Sequence, residues 1–221
     1  MKRNLLKTAV TALIVTLGLI SFPQTILAQT SKKMEKTLNK QRDKEYKIKI
    51  KEYKKEGWKL SGSSRTLEVA LLEHYIKLAE NKQNREISGE VSQCQSINIC
   101  KNFALINAQN RYAALASGNI KGRTEALLRA DANMPEVEMD KFISAYENLV
   151  KAEVSGVLTE SYSIVKDNGK TKEYKTFFIL NEEKASIARK RALERSLLET
   201  KITIIEAEEI SRFVNEGFNL E

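Results

Sequence analysis

SYSIVKDNGKTKEYKTFFIL, residues 161 to 180, is the stretch that decides the fold. Leu158, Tyr162 and Ile164 lead into Asp167-Asn168-Gly169-Lys170, and Tyr174, Thr176, Phe178 and Leu180 follow it, so apolar residues recur at every second position on both sides of a polar break. Asn-Gly accepts the positive φ angles of a tight turn, and the two runs predict a β-hairpin.

Upstream, Met139, Phe142, Ile143, Tyr146, Leu149, Val150 and Val154 form an amphipathic helical stripe that ends near Gly156. A helix from about Ser96 to Ser117 precedes it. Its alanines (Ala104, Ala108, Ala113, Ala114, Ala116) would let it lie close against a sheet, Gly118 and Gly122 read as its stop signals, and Lys121 to Pro135 mixes loop with a short helix. Ile87, Gly89 and Val91 alternate with Glu86, Ser88 and Glu90 as a half-buried strand, where Gly89 marks a bulge or the close approach of another element. Ser64 is the expected N-cap of a helix running to Asn81, with Leu67, Leu71, Tyr75 and Leu78 on one face and Val69, Leu72, Ile76 and Ala79 widening it. Trp58 and Leu60 enter a short strand before the turn Ser61-Gly62-Ser63-Ser64.

Downstream, Asn181 caps a helix whose stripe is Ala185, Ala188, Ala192, Leu193, Leu197 and Leu198. The β-branched run Ile202-Thr203-Ile204-Ile205 weakens it before it continues to about Asn215. This order of elements predicts an α+β protein: a small antiparallel sheet of three or four strands with helices packed on one face, plus a charged N-terminal helical extension.

The first residues read as an export signal. Lys2, Arg3 and Lys7 form a basic region, Thr8 to Ser21 is apolar and uncharged but too short to cross a bilayer core of about 30 Å as a helix, and Phe22-Pro23 breaks the run. Cleavage is expected between Ala28 and Gln29, leaving no transmembrane segment in the mature chain; an uncleaved anchor or a buried apolar helix is the alternative. A lipid anchor needs a cysteine after the apolar run, and none stands there. The organisation expected is therefore a signal peptide over 1–28, a charged helical or partly disordered extension over 29–56 and a single α+β domain over 57–221, located in the periplasm with association to the outer membrane left open.

The leader takes three of the 37 basic residues and none of the 29 acidic ones, so the mature chain carries +5. Ser31 to Glu56 alone holds eleven Lys or Arg against five Asp or Glu, which concentrates the excess in one segment. Met34, Leu38, Tyr46, Ile48, Ile50 and Tyr53 do not make a full apolar stripe there, and a solvated helix is expected.

Cys94 and Cys100 bracket CQSINIC, and in an oxidising compartment two cysteines with no other partner most simply form a local disulfide; two buried thiols are the alternative. No metal site is expected, because zinc wants four Cys, His or carboxylate ligands and His74 is the one histidine. His74 reads as a boundary residue on its helix. The chain has no GxSxG elbow, HExxH, phosphate-cradling loop or dinucleotide fingerprint, so no catalytic residue and no cofactor is assigned. Glu182-Glu183 and Glu206, Glu208 and Glu209 could supply paired carboxylates, but Lys and Arg interspersed on the same helices favour a solvated face.

KEGWKL at 55 to 60, REISGEV at 85 to 91, the alanine-bearing FALINAQNRYAALASG at 103 to 118 and the hairpin at 161 to 180 together resemble a family of small bacterial outer-membrane lipoproteins of about twenty kilodaltons, which shares a domain with the N-terminal part of a flagellar assembly protein. The same segments look like uncharacterised exported proteins of Bacteroidetes-type bacteria. The resemblance implies an α+β envelope domain, and the missing lipidation cysteine departs from it. The expected function is that of a non-enzymatic periplasmic interaction or structural protein with another envelope protein as partner. The alternatives are a module that binds anionic envelope polymers or lipid head groups through the basic segment, and an envelope enzyme with a dispersed site. Nucleic acid is not expected as a partner, since export removes it and no aromatic stacking platform accompanies the charge.

Overall fold

The computed structural model describes residues 24–128 and 136–200. The body of the expected leader, the Ile202–Ile205 run and Glu206, Glu208 and Glu209 lie outside the described residues, and the expected cleavage bond falls in the first turns of the leading helix. The elements are α1 (Gln24–Glu56), β1 (Lys59–Leu60), α2 (Leu67–Glu80), β2 (Asn84–Cys94), α3 (Ile97–Leu128), α4 (Glu136–Val154), β3 (Thr159–Asp167), β4 (Lys172–Asn181) and α5 (Glu182–Thr200). The chain divides into two compact units, Met1–Gln41 and Arg42–Glu221. The division lies inside the charged segment rather than at its end, and residues 42–56 go with the α+β body.

The four strands form one antiparallel sheet in the order β1-β3-β4-β2, the α+β class read from the hairpin. Period two assigns the faces of central β4. Tyr174, Thr176 and Leu180 look toward α3, α4 and α5, and Phe177 looks the other way. The cover is more than one-sided: a second, smaller core on the opposite face joins Tyr162, Ile164 and Phe177 to Leu67, Ala70 and Leu71 of α2 and to Ile50, Tyr53 and Trp58. Residues 46, 50 and 53 lie at i, i+4 and i+7, a narrow stripe that packs, so the end of α1 is not the solvated helix its composition suggested. Gly57, at φ 82°, closes α1: its N–H donates to the Lys54 carbonyl and the Trp58 N–H to the Tyr53 carbonyl, the paired bonds of a Schellman stop.

Several local expectations shift by a few residues. Thr66 rather than Ser64 caps α2, its hydroxyl accepting from the Val69 N–H at 3.3 Å, while the neighbouring Ser63 hydroxyl accepts from Arg65. Val69, Leu72 and Ile76 do not widen the buried face; all three are exposed. The hairpin loop spans Asn168 to Thr171, closed by the Asn168 N–H donating to the Thr171 carbonyl with Gly169 at positive φ, and the last strand pair is Asp167 with Lys172, so the turn is wider than two residues. Helix α3 runs through Gly118 and Gly122. Each glycine costs about 1 kcal/mol in a helix, and Ile120 between them is fully buried against α4, an anchor of about 2 kcal/mol. Leu198 of α5 points outward.

Three features seat α3. Gly89, Thr176 and Ser163 stand side by side on adjacent strands and make a shallow trough of small side chains, where the Thr176 and Ser163 hydroxyls share a 3.0 Å hydrogen bond. A Cβ on Gly89 would meet the Ala104 carbonyl oxygen, so the helix touches the sheet backbone to backbone. A one-residue slip in β2 between Val91 and Cys94 then turns Cys94 onto the α3 face beside Val91, where it meets Cys100 and Tyr174.

Candidate functional site

Cys94 and Cys100 stand at disulfide distance, their Cα atoms 5.5 Å apart. The pair ties the end of β2 to the first turn of α3, where the Ser96 carbonyl accepts from the Cys100 N–H.

His74 is not a boundary residue. Helical spacing from Leu67 through Leu71 carries it into the smaller core, where it is 0% exposed among Tyr75, Tyr162 and Phe177. Its Nε2 lies 2.6 Å from a Glu86 carboxylate oxygen, and Lys49 stands 3.7 Å from the other. Burial pulls the Glu86 carboxyl upward, but the His74 hydrogen bond and the Lys49 charge overcome it and hold the group below its usual range. Histidine and carboxylate together resemble half of a nucleophilic triad. The ring is sealed behind three aromatic side chains, so no substrate reaches it and the pair is a structural pin.

A second polar cluster lies in the larger core. Glu182 and Arg189 fall on the alanine stripe of α5, at i and i+7, and both are buried. Arg189 pairs with Glu182 and donates to the Tyr112 hydroxyl of α3, while Arg85 of β2 approaches Glu182 at 3.9 Å. The solvated face expected for Glu182 is thus corrected; Glu183 is exposed as expected. Burial pushes the Tyr112 phenol up to about 12, against the lowering pull of Arg189. Two charged residues inside an alanine stripe were the available signal for this cluster.

The third feature is open. Glu86, Ile87 and Ser88 of β2 and Arg111, Tyr112 and Leu115 of α3 line a groove of about 480 Å³ along the outer side of β2. Arg111 donates to the Ser88 hydroxyl at 3.2 Å, and Asn107, one turn earlier, donates to the Glu90 carbonyl at 2.7 Å. Comparison with known protein families, curated proteins and solved structures finds no match. Geometry alone must therefore rank the sites, and the groove is the one that solvent reaches. Among the described residues no cluster of three or more His, Cys, Asp or Glu could hold a metal, and no helix is long and apolar enough to cross a membrane.

Proposed function

We propose that the protein is an exported component of the cell envelope that works by holding another envelope protein, not by catalysis. One observation carries this reading. Helix α3 is locked to the sheet by its inner face, while Ile99, Phe103 and Ile106, one turn apart on its outer side, stay 46%, 53% and 39% exposed. A row of large apolar side chains on a firmly seated helix is what a protein contact uses. Export is supported by the leader pattern and by the cysteine pair, since disulfides persist in oxidising compartments. The resemblance to envelope lipoproteins points the same way. Catalysis is disfavoured because the histidine and the paired charges are enclosed in the two cores.

A specific observation favours the polymer-binding alternative. Lys44, Lys47, Lys51 and Lys55 recur every three or four residues along α1 and are all exposed, a cationic row suited to an anionic polymer or lipid head group. Crosslinking in intact cells followed by mass spectrometry separates the two. The comparison uses the unaltered protein, a chain lacking residues 31–41, which spares the packed end of α1, and a chain with those four lysines changed to glutamine. The same protein partner in all three is the expected result. Retention on wall or lipid material that salt releases and the lysine changes abolish would replace the first reading with the second.

A further inference from the structure

We propose that the outer edge of β2 receives an extended, carboxylate-bearing segment of a partner protein, laid into the groove as an additional strand. The inference rests on the protein-holding reading above and adds a second contact, apart from the apolar row of α3, with its own chemistry.

Among the described residues the sheet order leaves one side of β2 without a neighbouring strand. Asn107 reaches the Glu90 carbonyl from that side, so the peptide groups of Glu90 point away from β4. The alternation of a strand turns those of Glu86 and Ser88 the same way. Strand addition needs such a row of outward donors and acceptors. Specificity comes from what flanks it. Ile87 is half-buried and Leu115 is 42% exposed, which gives an apolar seat for every second side chain of the incoming segment. Tyr112 at the base of the groove is fixed from below by Arg189.

Charge selects an acid. Arg111 is exposed, its guanidinium rests on the Ser88 hydroxyl, and no carboxylate pairs with it among the described residues. Glu86 lines the same groove but is already engaged by His74 and Lys49. A carboxylate arriving at Arg111 would exchange a bond to a neutral hydroxyl for a charge-assisted one. A second copy fits less well. Antiparallel pairing of two β2 strands about Ser88 would set Glu86 opposite the other copy's Glu90, like charge against like charge. In the free protein Asn107 and Arg111 shield the edge, the usual defence of an open strand against indiscriminate pairing.

The test titrates the isotope-labelled protein with the peptide TVTVEVTVT, and with the same peptide carrying glutamine at its centre, followed by amide shifts and hydrogen exchange. Shifts and slowed exchange at Glu86 and Ser88 are expected, with binding about tenfold weaker for the glutamine peptide and for Arg111→Gln, the scale of one charge-assisted hydrogen bond. Unchanged affinity in both, shifts confined to Ile99, Phe103 and Ile106, or dimerisation through this edge in sedimentation would overturn the proposal. A photo-crosslinking group at Leu115 in cells keeps the two readings apart. A partner captured from other surfaces but never from Leu115 removes the edge site and leaves the protein-holding reading intact. Peptide binding as described with no partner in cells upholds the edge site and removes the wider reading.

Discussion

Gly89 and Ala104 meet backbone to backbone, with the Ala104 carbonyl oxygen occupying the position where a Cβ on residue 89 would stand. The neighbouring Ala108 nitrogen is 3.0 Å from the same point. Neither atom is the yielding end of a flexible side chain, so Gly89→Ala must push α3 off the trough. A loss of about 3 kcal/mol is expected. Urea unfolding measures it, and a loss below about 1 kcal/mol would mean that the helix slides without strain.

The buried pair of Glu182 and Arg189 makes a different prediction. Glu182→Gln leaves the Arg189 charge without its carboxylate in the core, at a cost of about 3–5 kcal/mol. Replacing both by leucine and methionine removes the desolvated charges together and should cost less than the single change. Unfolding midpoints of the two variants decide the order.

Glu86 ties stability to pH. Its folded carboxyl lies below the usual 4.5, so it contributes stability above that value and loses it as pH falls through its folded pKa. Glu86→Gln should flatten the decline of stability below about pH 5. An unaltered acid limb would show that the His74 contact does not couple to folding.

Tyrosines define the alkaline limit. Burial pushes the phenols of Tyr53 and Tyr112 from 10.0 up to about 12 and raises Tyr146 and Tyr162 as well. A raised pKa gives stability that is complete below pH 10 and is lost as pH climbs toward 12. Phenolate absorbance of these four should therefore appear together with unfolding, whereas separate titration in the folded protein would contradict their burial.

The cysteine pair is checked by mass. The purified protein should be two hydrogen atoms lighter than the reduced chain, and Cys94→Ser with Cys100→Ser should cost about 2 kcal/mol, the loop-closure value for so short a link. Recovery of both thiols from envelope preparations would return them to the buried-thiol alternative.

Much of this was legible in the sequence. The hairpin strands and α4 declare themselves because large apolar side chains repeat at periods of two and 3.6 over their full length. Polar residues inside a stripe were harder to read. His74, Glu182 and Arg189 sit at helical spacing among apolar neighbours, and only tertiary pairing permits them to be buried. Tyr46, Ile50 and Tyr53 were hidden by the cations around them, since a stripe three residues wide is enough when it meets a sheet face that α2 leaves uncovered. The groove had no local signature, because its two walls lie more than twenty positions apart in the chain.

The slip in β2 makes the sulfur chemistry of this chain a matter of counting. Val91 and Cys94 share a face only because the slip sets two residues of β2 against one of β4; in an unslipped strand of the same sequence Gln93 would take that place and Cys94 would turn to the opposite side of the sheet, out of reach of Cys100. Loss of a single codon at Ser92 or Gln93 would remove the slip and still set the cysteine opposite Lys172 on the α3 face, whereas a change that straightened the strand at its present length would strand both sulfurs. In any lineage descended from this chain that keeps both cysteines, the first should stand either three residues after Val91 across a slip or two residues after it in a straight strand.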